Sequence, residues 1–224
     1  MKSPRRTARA DGESTRARIL DAAGRLIAAH GYSETTSKAI AAEAAVDLAS
    51  INYHFGSRQQ LYQAVLALAH NHFISLPQLK SLVDSQLSAP EKLSKMIEGI
   101  VSHVATVEGW QARVLAREVL APSVHLKVVF NNEFQPKLAL MTGILSEITG
   151  IPPSDPALLR CLLSVGGPCL MLMVAGKNSA GPISEISKMP KPDVVKHLHL
   201  FAMAGLTAIR EQHHHATSTA GSTV

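Results

Sequence analysis

Apolar residues recur at three- and four-residue spacing through nearly all of this 224-residue chain, and that period limits the fold more than any other property. Ile19, Ala23, Leu26 and Ile27 fall on one helical stripe. Ile40, Ala41 and Ala44 form a second, and Leu61, Val65 and Leu68 a third. Runs alternating polar residues with β-branched or aromatic ones are missing, so strands are not expected. The apolar content comes mainly from Ala, Leu, Ile and Val, and aromatics make up 4% of the residues. The predicted class is all-α, in a chain long enough to bury a sizeable core in one or two domains.

The stop and start signals divide this pattern. Residues 1–12 are polar and basic and read as a disordered arm. A first helix spans about Glu13 to His30, with Gly31 as its stop. Thr36 or Ser37 caps a short second helix, a turn of three or four residues follows, and Asp47 caps a third helix, Leu48 to Phe55. Ser57 caps a fourth helix that ends before Pro77. Ser88 and Pro90 open a helix over 90–106. Another runs from Glu108 to Leu120. Residues 123–149 form a helix or a bent pair, since Pro136 lies inside. After the connector "IPPSDP", the spacing predicts a helix over 155–176, a loop over 177–192 and a last helix to Gln212. The domain boundaries that follow are 1–12, 13–60, 61–212 and a disordered tail, 213–224.

The third helix is the most informative piece. At 100° per residue, Ile51 and Phe55 share one face and can bury against the first helix. Ala49, Ser50 and Tyr53 point the other way, flanked by Asn52 and His54. A helix of eight residues is not stable alone, so packing on one side must hold it. The free side carries a small residue, a hydroxyl, an amide, a phenol and an imidazole. That inventory suits a DNA major groove: Ala49 can touch a thymine methyl, Asn52 can pair with adenine N6 and N7, and Ser50, Tyr53 and His54 can reach bases or phosphates.

The segment "ARILDAAGRLIAAHGYSETTSKAIAAEAAVDLASINYHFGSRQQLYQAVL" resembles the DNA-binding domain of the tetracycline-repressor (TetR) family of bacterial transcription regulators. The features that carry the resemblance are "HGY", "TTSKAIAAEAAV", "INYHF" and "SRQQLY", in order over about fifty residues. Two positions depart from the family pattern. Ala45 stands where Gly is usual, which bears on the φ > 0 geometry of the turn. Leu48 stands where a polar residue is common, implying either another base preference or a side chain tucked toward Ile51 and Phe55. The resemblance implies that Ser37 and Lys38 approach phosphates and a base edge, that Ala49, Ser50 and Asn52 read bases, and that Tyr53, His54 and Arg58 hold the backbone. The arm (Arg5, Arg6, Arg9) is either a solvated tail or a further DNA contact.

"VLAREVLAPS" at 114–123 and "CLLSVGGPCL" at 161–170 resemble the CecR-like branch of the family. This implies a C-terminal helical domain that binds a ligand and dimerises through its last two long helices. The helix over 155–176 is apolar nearly all round, as suits a helix packed on its own domain and on a partner. Gly166 and Gly167 permit close approach, and Pro168 removes a hydrogen bond to residue 164. Candidate ligand-binding residues are His103, Trp110, Arg113, Arg117, Met141, Met171 and Met173. Methionine suits adaptable apolar pockets, though each Met is equally an ordinary core residue. Trp110, Arg113 and Arg117 share a face that is either solvated or able to meet an anionic group.

Charge and cysteine usage narrow the function. The formal net charge is +5, with nine basic against six acidic residues in 1–75 and thirteen against eleven in the rest. A basic balance favours an acidic partner. Within one helix, Cys161 and Cys169 lie about 12 Å apart, beyond disulfide reach, which fits reduced thiols. The basic N-terminus leads into no apolar signal segment, and Arg160, Gly166, Gly167 and Pro168 interrupt the longest apolar run. The expectation is a cytoplasmic protein with no membrane span, no cofactor and no metal site; the triple His213–His215 reads as tail. No phosphate loop, nucleophile elbow or metal signature marks an enzyme. The leading reading is a homodimeric repressor on a near-palindromic double-stranded DNA operator, released by a small hydrophobic effector. A constitutive DNA-binding regulator is the alternative, and a helical enzyme with a Cys–His pair formed in three dimensions is the alternative of another class.

Overall fold

A computed structural model describes the backbone of residues 4–106, 109–175 and 181–221, and side chains within 11–102, 109–173 and 181–215. Every regular element among them is helical: α1 (Pro4–His30), α2 (Ser37–Glu43), α3 (Leu48–Phe55), α4 (Arg58–Phe73), α5 (Leu76–Val83), α6 (Ala89–Thr106), α7 (Trp110–Leu120), α8 (Val124–Val129), α9 (Gln135–Thr149), α10 (Ala157–Ala175), α11 (Pro182–Lys188) and α12 (Lys191–Gly221).

The helix starts follow local chemistry. Thr36 caps α2, its Oγ1 accepting the Ala39 N–H at 3.1 Å. Asp47 caps α3, and Ser57 Oγ accepts the Gln60 N–H at the head of α4. Gly31, at φ +89°, takes the left-handed conformation that ends α1.

Prolines account for two elements that the sequence reading missed. Pro77 and Pro182 read as breaks, yet each sits in the first turn of a helix, α5 and α11. A proline there removes an N–H that has no intrahelical partner anyway. At α5 the start is reinforced by a capping box between Ser75 and Gln78. Pro136 opens α9 in the same way, and a π-helical segment, Phe130–Phe134, joins it to α8. The extra residue in that turn accommodates a ring that cannot continue the ordinary hydrogen-bond ladder.

The chain divides into two compact units, Met1–His72 with Val107–Asn132, and Phe73–Thr106 with Glu133–Val224. This differs from the expected boundary at residue 60. Unit 1 takes in most of α4 and also α7 and α8, because α7 packs on α1 rather than into a separate sensing domain. Unit 2 is built from α5, α6, α9, α10, α11 and α12 around Leu93, Ile97, Ile144, Leu145, Leu158 and Leu206. α1 begins at Pro4 rather than near Glu13, and α12 runs past Gln212 to Gly221. No proline interrupts either extension, and His213 Nε2 lies 3.3 Å from Asp155 Oδ2.

Candidate nucleic-acid interface

The turn between α2 and α3 fixes how α3 is presented. The Ala45 N–H reaches the Ala42 carbonyl at 3.2 Å, and the Val46 N–H reaches that of Ala41 at 3.0 Å. This closure requires a left-handed residue, and Ala45 adopts φ +52°. The turn that glycine usually makes is therefore made here by alanine, against a steric cost.

α3 is held from one side. Ile51 is fully buried and Phe55 is buried beside it, whereas Tyr53 is 84% exposed. Ala49 and Asn52 are also exposed, and His54 and Ser50 are half-buried. Leu48 is 49% exposed and so belongs to the outer face instead of tucking under Ile51. Tyr53 and His54 meet edge to face, ring centroids 5.0 Å apart. Lys38 is exposed at the start of α2, with Ser37 half-buried beside it. Ser37, Lys38, Ala49, Asn52, Tyr53 and His54 thus fall on two short helices of one unit.

Two residues expected to touch DNA are engaged internally. The Ser50 hydroxyl donates to Asp47 Oδ1 at 2.6 Å, and its backbone N–H bonds the same oxygen at 2.6 Å. These bonds, the side-chain one first, hold the Asp47 carboxyl below its ordinary value of 3.8. Arg58 donates to the Tyr32 carbonyl and, at 3.3 Å, to that of Ser33. Its Cζ lies 4.2 Å above the Tyr32 ring. The guanidinium therefore fastens the loop after α1 to the head of α4 instead of standing free as a backbone clamp. The side chains of Arg5, Arg6 and Arg9 lie outside the described residues.

The expected ligand-binding residues are not brought together. Trp110 is 4% exposed, lies on α1 at Gly24, and donates its Nε1–H to Asp21 Oδ1 at 2.9 Å. Arg117 donates to the Ala28 and Ala29 carbonyls at 3.3 and 3.1 Å, so a cation covers the C-terminal end of α1. Arg113 is exposed on the same helix. Trp110 and Arg117 are parts of unit 1. Met141, Met171 and Met173 belong to unit 2, and the His103 side chain lies outside the described residues.

Sequence reasoning missed the group that joins α4 to α7. The buried Glu118 carboxylate accepts the Tyr62 O–H, the Ser123 backbone N–H at 3.0 Å and the Ser123 O–H at 3.1 Å. Tyr32 stacks on Tyr62 with centroids 4.4 Å apart, and His125 stands edge-on to both rings. Burial and then the Glu118 carboxylate push the Tyr62 phenol up, beyond its ordinary range. The available signal was a glutamate on the apolar stripe of α7, one turn from Val114 and Leu115.

Unit 2 contains a cavity of about 630 Å³. It lies among α10, α11 and α12. Pro168, Met171, Leu172, Ile183, Ile186 and Leu198 give it an apolar wall, with Asp193 and His197 as polar members. Met173 is buried and Met141 is packed against the unit 2 core. Lys137 is only 1% exposed; burial pushes its ammonium down and Glu133 acts in the opposite direction. Both cysteines are free and buried, and burial pushes the Cys169 thiol up to about 11 and that of Cys161 in the same direction. Neither suits a thiolate nucleophile. Among the described residues no helix is long and apolar enough to cross a membrane, and no group of three or more His, Cys, Asp or Glu is placed to hold a metal ion.

Comparison with known proteins gives consistent matches. Residues 19–65 match the bacterial regulatory proteins of the tetR family, and residues 89–209 match the C-terminal domain of the HTH-type transcriptional dual regulator CecR. The HTH-type transcriptional regulator SrpR of Pseudomonas putida is 43% identical over 63 residues, which is 28% of this chain and 29% of that protein. A TetR-like regulator from Rhodococcus sp. RHA1 superposes with a TM-score of 0.65 at 20% identity, covering 86% of this chain and 95% of that one. FadR of Bacillus subtilis, solved with stearoyl-CoA, superposes with a TM-score of 0.66 at 19% identity, covering 84% and 98%.

Proposed function

This chain belongs to the TetR family of bacterial regulatory proteins, with a C-terminal domain of the CecR type, and on that premise we propose that it is a dimeric, sequence-specific DNA-binding repressor that a small apolar ligand releases from its operator. The observation that carries the reading is the one-sided burial of α3, with Ile51 and Phe55 inward and Asn52 and Tyr53 outward. An isolated helix of this length would melt. Held from behind and capped by Asp47, it offers an amide and a phenol on a firm support.

Ala49 and Asn52 face base edges in this reading, and Ser37, Lys38, Tyr53 and His54 position the helix on phosphates. Ser50 contributes through the α3 cap, and Arg58 through the support of the loop after α1. A single unit of this kind has too little surface for specific affinity, so two copies read half-sites about 34–36 Å apart. Unit 2 supplies a matching face: Leu159, Leu163 and Leu170 on α10 and Leu200 and Phe201 on α12 are exposed. Nothing lies within 4 Å of a Cβ placed on Gly166 or Gly167. Covering such side chains with a second copy contributes roughly 1.5–3 kcal/mol for each one fully buried.

The cavity of about 630 Å³ in unit 2 is the proposed effector site. Its size and apolar wall suit a drug-sized or acyl-type molecule, and the stearoyl-CoA bound by FadR is a precedent in a protein of this fold. The chain leads from α6 and α9 of unit 2 directly into α7 and α8, and α7 is fastened to α1 and α4 through Trp110, Arg117 and Glu118. A ligand that prefers a shifted unit 2 would move α7 and, with it, the helix pair that carries α3. A coupling of about 1–3 kcal/mol lowers operator affinity roughly 5–150-fold.

The test starts with selection of bound DNA from a random pool using the purified protein, which should return a near-palindrome. Asn52→Ala should relax selectivity at one position of each half-site, because a good bidentate contact discriminates by about 1–3 kcal/mol. An unchanged ratio of specific to random binding in Asn52→Ala refutes the base-reading role.

A further inference from the structure

The N-terminal end of the exposed arc of α3 is apolar. At 100° per residue, Leu48 and Asn52 share one strip of the helix and Ala49 and Tyr53 the next, while Ile51 and Phe55 lie on the buried side. All four strip residues are exposed, Leu48 at 49%. Among the described residues of α1, α2 and α3, Leu48 and Tyr53 are the large hydrophobic side chains left exposed. A lone exposed leucine is ordinary on a protein surface, but Leu48 differs in where it stands. It is the first residue of α3, directly after the Asp47 cap, whose Oδ1 accepts the Ser50 N–H at 2.6 Å. The bond from the Val46 N–H to the Ala41 carbonyl, at 3.0 Å, and the left-handed Ala45 fix the chain just before it. Its backbone is therefore held while its side chain is left out of the core.

Helix-turn-helix proteins reach base edges with the N-terminal residues of the second helix of the motif, and at that end this chain offers Leu48 and Ala49. A leucine side chain has no donor or acceptor, so it cannot answer the hydrogen-bonding groups of the major groove. Set against a phosphate, it would desolvate charge with no bond in return. The apolar group on a base edge is the thymine C5-methyl. We propose that Leu48 is a specificity-determining residue that selects thymine in each operator half-site by covering its methyl group, a contact distinct from the adenine pairing assigned to Asn52. This rests on the reading of α3 as the base-reading helix. Leucine at a position where the family commonly carries a polar residue thus exchanges hydrogen-bond readout for apolar contact. Ala49, a single methyl on the neighbouring strip, can cover a second thymine methyl, and the two contributions are separable by substitution.

The full-length protein is first used to select an operator from a random DNA pool. Each thymine of one half-site is then replaced in turn by deoxyuridine, which removes the methyl and leaves the pairing groups unchanged, and binding is measured by fluorescence anisotropy. The wild type should bind about fourfold more weakly at one or more of these positions, the factor expected for one uncovered methyl-sized group. In Leu48→Ala the penalty at one such position should fall below twofold, while a penalty at a thymine covered by Ala49 stays. Affinity for random DNA and its dependence on salt should be unchanged in Leu48→Ala, because no phosphate contact is removed. A pool that yields no operator overturns base reading by α3 and this inference with it. An operator with no methyl-sensitive thymine, methyl penalties that all persist in Leu48→Ala, or equal weakening of operator and random DNA by Leu48→Ala overturns the role of Leu48 and leaves the base-reading function standing.

Discussion

Replacing Gly24 by alanine puts two physical effects in direct opposition. The residue lies inside α1, where alanine is favoured over glycine by about 1 kcal/mol. Yet a Cβ there would stand 2.3 Å from Cδ2 and Cε2 of Trp110 and 2.6 Å from Cε3, so the indole must move. Overpacking of this sort costs about 1–3 kcal/mol. Displacement also breaks the 2.9 Å bond from Nε1 to Asp21, and a buried donor left without a partner costs about 1–3 kcal/mol more. Packing should win, leaving Gly24→Ala less stable by about 1–5 kcal/mol. Urea unfolding followed by circular dichroism measures this. In a Trp110→Ala background the obstacle is gone, and the same Gly24→Ala change should stabilise by about 1 kcal/mol. The sign reversal across the cycle is the signature. A stabilised Gly24→Ala with Trp110 intact would mean that the ring does not lie on α1 at this point, and the role of α7 as a strut would fall with it.

Other perturbations follow from the same contacts. Ala45→Gly relieves a left-handed alanine worth about 1–2 kcal/mol and adds about 0.4–1 kcal/mol of unfolded-state freedom, so thermal unfolding should show a net gain below about 1.5 kcal/mol with DNA selectivity unchanged; a loss would argue against the turn described. Asp47 has a folded pKa depressed below its ordinary 3.8, so its contribution to the α3 start is present above that value and is lost as pH falls through the lower folded one. Amide exchange in α3 should therefore rise selectively below about pH 4, and Asp47→Ala should raise it at neutral pH; exchange that does not change in either case removes the cap from the account. Leu163→Glu together with Phe201→Glu puts charge on the exposed stripes of α10 and α12 and should give a monomer at micromolar concentration by sedimentation; a dimer that persists moves the interface elsewhere.

The sequence by itself determined what depends on neighbours within a turn or two. The period of the apolar residues gave helices, Thr36, Asp47 and Ser57 marked their starts, and the positions of Ile51 and Phe55 around α3 settled which face is buried, because a helix leaves each side chain one direction. Prolines were the local signal that misled. Pro77 and Pro182 resemble breaks until Ser75 with Gln78, or the preceding Gly181, mark them as helix openings. What tertiary structure decided is where α7 belongs and what its side chains do. Trp110 and Asp21 are 89 positions apart, and Glu118 and Tyr62 are 56 apart. No local period encodes such a pairing, so residues of α7 that read as a ligand face became fastenings to α1 and α4. Arg58 is a further case: its charge suggests a phosphate, but the carbonyls of Tyr32 and Ser33 lie within reach only once the loop after α1 is folded over it. A side chain's chemistry is legible in its type, but its partner is fixed by which distant groups close packing brings within about 3 Å.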